Sequence, residues 1–68
     1  MIEGVIADFD EHAGWGLLAA DDGETYFFHC VSIRGGGRHI NVGVRVGATR
    51  SVGQRGHDEA SDVHLLET

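Results

Sequence analysis

Gly14-Trp15-Gly16-Leu17-Leu18-Ala19-Ala20, Asp21-Asp22-Gly23-Glu24 and Thr25-Tyr26-Phe27-Phe28-His29-Cys30-Val31 follow one another without a break. Residues 14–20 and 25–31 are short runs of apolar, aromatic and β-branched residues, the composition that suits a pleated, half-buried surface. The acidic tetrapeptide between them is a turn signal, because Asp bonds its own backbone and Gly supplies a positive φ. The stretch therefore predicts a β-hairpin. Successive side chains of a strand point to opposite faces. With Leu18, Tyr26 and Phe28 turned inward, Trp15, Leu17, Phe27 and His29 share the outer face. Trp, Leu, Phe and His displayed side by side call for a ligand or a partner. Glycine on both sides of Trp15 suggests space for a flat ligand on the indole, which is how a base-stacking platform is built. The same residues would also serve to plug one end of a barrel or to form a dimer contact.

Working outward, residues 2–9, 42–52 and 60–66 read as three more strands. Val42, Val44, Val46 and Ala48 fall on one face of the fourth, and Arg50 then lands on it, which predicts a register change near Gly47. Val63 and Leu65 share one side of the fifth. The stretches 32–39 and 53–57 are glycine-containing connections. Eleven glycines, no proline and no helical apolar stripe point to turns and strands. Five short strands at this spacing predict an all-β fold, a small antiparallel barrel that leaves no open edges.

Sixty-eight residues make one domain, expected to bury roughly 60% of its extended surface and to lack a deep catalytic cleft. One cysteine excludes an internal disulfide framework and suits a reducing, cytoplasmic setting. The longest apolar run, Leu17 to Ala20, is too short for a membrane span. The net charge of −6 is segregated: residues 1–24 carry seven acids and no base, 25–57 five arginines and no acid, 58–68 four acids. Overall acidity repels nucleic acid at long range, while the middle third can form a local anion-binding patch or pair internally with the acidic ends. No Gly-Lys-Ser/Thr follows Gly35-Gly36-Gly37, so it is no phosphate loop. Cys30, His39, His57 and His64 lack zinc-finger spacing, and neither a metal nor any other cofactor is expected. Asp8, Asp10 and Glu11 read as a solvated acidic turn, and the chain as a non-enzyme.

These motifs resemble those of the bacterial cold-shock domains. The matching residues are Gly4, Phe9-Asp10, Gly14-Trp15-Gly16-Leu17-Leu18, Asp22-Gly23, Phe27-Phe28-His29, Ile33, Gly43, Val46, Gly53, Arg55-Gly56, Ala60 and Val63. The order and spacing of the two ring-bearing motifs carry the resemblance, which covers nearly the whole chain. It implies a five-stranded OB-fold barrel that binds single-stranded RNA or DNA. The chain departs from that pattern as well. Ala13 stands where a lysine is usual, Ala7 and Asp8 where the first strand has a basic and an aromatic residue. Leu17, Cys30 and Arg38 replace further aromatics. Trp15, Phe27, His29 and Arg55 survive residue by residue.

The expected interface is therefore Trp15, Leu17, Phe27 and His29, with Arg34, Arg38 and Arg55 from the basic loops. Each lost stack weakens binding by ~1–3 kcal/mol, so weak or altered single-strand binding is expected. The competing reading is a protein-interaction or structural barrel, with a protein partner or a second copy of the chain on that face.

Overall fold

The computed structural model describes residues 1–35, 38–53 and 58–66. Its strands are β1 (Ile2–Asp10), β2 (Trp15–Ala20), β3 (Thr25–His29), β4 (Arg45–Val52) and β5 (Asp58–Leu65), and they close into a barrel in the order β1-β2-β3-β5-β4. The fold is all-β and compatible with an OB-like barrel. The 14–31 hairpin forms with Leu18 opposite Tyr26 and Gly16 opposite Phe28. Its turn is locked as its sequence implies: the Glu24 amide donates to Asp22 Oδ1 at 2.9 Å, and Gly23 sits at φ +93°.

The barrel is not wholly antiparallel. Phe27 of β3 pairs in parallel with Glu59 of β5, while every other pair of neighbouring strands is antiparallel. Parity is the reason: strand direction cannot alternate around a closed ring of five, so one neighbouring pair must run the same way.

Three strand boundaries differ from the sequence reading by two residues or more. β3 ends at His29, and Cys30–Ser32 form a 3₁₀ turn whose Ile33 amide bonds Cys30 O. β4 begins at Arg45, because Gly43 takes φ +92° and donates its amide to Ile6 O instead of extending the strand. Val42 is accordingly exposed and not part of the β4 inner row. β5 begins two residues early, at Asp58.

The register change near Gly47 is present, but its extra residue lies in the partner strand. Gly47 to Thr49 spans two steps while the opposed His64 to Ser61 spans three. Asp62, at φ +51°, absorbs the surplus, which lets Ala60 and Val63 both face inward despite their odd spacing. Leu65 follows Val63 on the inner side but lies at the open end, largely exposed.

A second bulge shapes β1. Ile6 pairs Leu18 and Asp8 pairs Leu17, so Ala7 is the extra residue. Ile6 therefore points into the core, Asp8 points out, and Phe9 returns inward to stack on Phe28 at 6.0 Å. The core comprises Ile2, Ile6, Leu18, Tyr26, Phe28, Ile33, Ile40, Val46, Ala48, Ala60 and Val63, with no buried charge among the described residues. No helix among the described residues is long and apolar enough to cross a membrane.

Candidate nucleic-acid interface

The outer face of β2 and β3 gathers four residues of the expected interface. Trp15 pairs His29 and Leu17 pairs Phe27 across the two strands. The Trp15 and Phe27 rings lie 5.5 Å apart at 26°, and His29 stands edge-on to Phe27 at 4.8 Å. Trp15, Leu17 and Phe27 are half-buried against one another and His29 is exposed, so the cluster is a continuous surface and not part of the core.

The glycines beside Trp15 serve a different purpose from the one the sequence suggests. Gly16 is buried on the inner side, where a Cβ would come within 2.6 Å of both the Phe28 ring and Asp8 O. Gly14 ends the turn at φ +79°, its amide bonded to Asp10 O and its carbonyl accepting from the Cys30 amide. Glycine here seats the hairpin on the core and closes the turn; the open space above the indole comes from the strand's outward side.

Carboxylates frame the cluster. Across four strands one row runs Asp8–Leu17–Phe27–Glu59, and the next runs Asp10–Trp15–His29. Asp10 is occupied structurally: its Oδ1 accepts the amides of His12 and Ala13, the turn role expected of this acidic stretch. Glu11 engages His39 at 2.7 Å, and His39 packs edge-on against Phe9, tying residues 38–41 to the β1–β2 turn. Among the described residues Asp8 bonds only the Phe9 amide, through Oδ1. Glu59 Oε1 is 3.9 Å from His29 Nε2. Below Leu17 and Phe27 an open groove of ≈ 640 Å³ continues towards Arg50, with Asp22, Glu24 and Asp58 in its walls.

The arginines are largely committed to acids. Arg34 grips Asp62 with two hydrogen bonds of 2.8 and 2.6 Å, and Arg45 grips Asp21 at 2.8 and 2.9 Å. These bonds hold both aspartates below the usual carboxylate range and raise both guanidinium groups. Arg50 lies 3.6 Å from Asp58. Arg38, exposed at φ +54°, makes no ion pair among the described residues. Arg55 lies outside the described residues, as do most of the 53–57 connection and Gly36-Gly37. Internal pairing with the acidic ends is thus the arrangement the structure adopts for Arg34, Arg45 and Arg50.

Glu59 is the residue of this face that sequence reasoning missed. It sits 32 positions from Phe27 and reaches it only through the parallel closure of the barrel, which no local pattern announces. No protein-family model matches the chain, and no curated protein matches it.

Proposed function

We propose that the chain is a binding module, not an enzyme, that holds single-stranded RNA or DNA on the outer face of β2 and β3. The observation that carries this reading is the Trp15–Phe27–His29 cluster, in which the Phe27 ring contacts both others outside the core. Each ring that takes a base contributes ~1–3 kcal/mol, and stacking tolerates any sequence. The resemblance to cold-shock domains points the same way, and a single cysteine fits a cytoplasmic setting. Affinity is low, because Asp8 and Leu17 stand where further rings would help and the carboxylates repel phosphate. The salt dependence is shallow. Arg34, Arg45 and Arg50 are paired to aspartates, which leaves Arg38 among the described arginines, and each arginine that meets a phosphate, Arg55 of the expected interface included, adds roughly 0.7 to the logarithmic slope.

One observation favours the second reading, a barrel that binds protein or a copy of itself: acids frame the rings on two sides. Titrating Trp15 fluorescence with single-stranded heptanucleotides at two salt concentrations separates them. Quenching with a slope no steeper than about −1.5 is the expected result. No binding at low salt overturns the nucleic-acid reading and leaves the protein partner.

A further inference from the structure

We propose that the stacking face chooses bases by their hydrogen-bond donors, with Glu59 as the reader: guanine first, cytosine and adenine next, thymine and uracil last. The inference rests on the single-strand reading above and adds to it the identity of the preferred base.

Placement comes first. Phe27 and Glu59 pair across neighbouring strands, so their Cα atoms are about 4.8 Å apart laterally, less than the width of a base. A base lying on Phe27 therefore extends its edge over Glu59. The carboxylate has neighbours on two sides. It lies against Gly53, where any Cβ would collide with its oxygen, and it approaches His29 at 3.9 Å. Its side chain is 21% exposed, so it is partly covered yet still reachable. Among the described residues, no donor hydrogen-bonds its carboxylate. On the far side of the stacking surface Asp8 repeats the chemistry, with Oδ2 left over after Oδ1 takes the Phe9 amide.

Chemistry then ranks the bases. An ionised carboxylate only accepts hydrogen bonds. Unstacked bases in a single strand offer their Watson–Crick edges to protein side chains. Guanine presents N1–H and the N2 amino group side by side, matching the two carboxylate oxygens in a bidentate, charge-assisted pair. Cytosine and adenine each present one amino group beside a ring-nitrogen acceptor, enough for a single bond. Thymine and uracil flank their lone N3–H with two carbonyl oxygens, which face the carboxylate unfavourably. Repulsion between the acids and the phosphates is common to every oligonucleotide of one length and drops out of the ratio.

The test compares thymine heptanucleotides that differ only at the central base, read by Trp15 fluorescence at one salt concentration. Central guanine is expected to bind on the order of tenfold tighter than thymine, the range of a bidentate base contact. Central inosine, which keeps N1–H and lacks the N2 amino group, falls between them without any change to the protein. Glu59→Gln keeps the volume beside Gly53 and collapses the guanine-to-thymine ratio. Thymine binding as tightly as guanine, or a ratio that survives Glu59→Gln, overturns the base choice while leaving single-strand binding in place. If none of the oligonucleotides binds, both proposals fall together.

Discussion

The two faces of the β2–β3 hairpin carry similar side chains under opposite constraints. Leu18, Tyr26 and Phe28 point inward and are between 0% and 8% exposed, while Trp15, Leu17, Phe27 and His29 point outward from the same strands. Folding accounts for the inner set completely, since each residue fills the core that closes the barrel. Nothing in the fold requires the outer set. A strand needs only polar residues there, and β1 supplies them at Asp8 and Asp10 in the same two rows. Apolar character that folding does not require is what the proposed binding role rests on. The ring cluster and the acids around it thus form a surface distinct from the core.

The largest effects come from exchanging one face for the other in mutation. Phe28→Ala removes a fully buried ring that stacks on Phe9, and is expected to lower unfolding free energy by about 3–5 kcal/mol. A domain of this size has only ~3–10 kcal/mol to lose. Trp15→Ala is expected to change stability by no more than about 1 kcal/mol while weakening oligonucleotide binding roughly 5- to 100-fold. Urea melts and fluorescence anisotropy with a labelled oligonucleotide check the pair; indole fluorescence cannot serve once Trp15 is gone. A Trp15→Ala protein that binds as tightly as the wild type would show that the outer face is idle.

Asp8 allows the comparison to be sharpened in the opposite direction. It lies beside Leu17, outside the core, at the point where the Ala7 bulge turns β1 outward. Asp8→Trp adds a ring to the row Leu17–Phe27 and removes a charge that repels phosphate, so binding should strengthen by ~1–3 kcal/mol. The change lies on the exposed side and leaves the Ile6 and Phe9 side chains in place, at the loss of the exposed bond from the Phe9 amide to Asp8 Oδ1. An unaltered dissociation constant would favour a protein partner over nucleic acid.

Much of this geometry is legible in the sequence because it is local. Alternation alone sorts Leu18, Tyr26 and Phe28 from Trp15, Leu17, Phe27 and His29, and Asp22-Gly23 marks the turn between them. What could not be read depends on distant strands. The parallel β3–β5 pair follows from closing a five-membered ring, and Glu59 joins the face only through it. The bulge near Gly47 was visible as a phase conflict at Arg50, yet its extra residue at Asp62 belongs to the opposing strand. A similar conflict in β1, where Ile6 and Phe9 are both buried-type residues of opposite parity, was available as a signal for the Ala7 bulge. The arginines show the limit of composition: segregated charge announced pairing or an anion patch, and only the fold decides that Arg34 meets Asp62 and Arg45 meets Asp21.

Those two ion pairs lie outside the ring cluster and should have the smallest effect of all. Guanidinium hydrogen bonds hold Asp21 and Asp62 below their ordinary value of 3.8. A carboxylate whose folded value is depressed stabilises the fold fully above its unfolded value, and that contribution disappears as pH falls through the folded value. The window therefore opens near pH 3.8 and extends downward from it. Both pairs are solvent-exposed, so salt screens them and the loss is slight. Asp21→Asn and Asp62→Asn together should flatten the acid limb of a stability-against-pH curve while leaving neutral stability almost unchanged. Asn suits position 62 because it tolerates the left-handed backbone that Asp62 adopts at φ +51°. A deep loss of neutral stability in this double variant would mean that the ion pairs support the barrel itself, and that the division between a core that folds and a surface that binds is drawn in the wrong place.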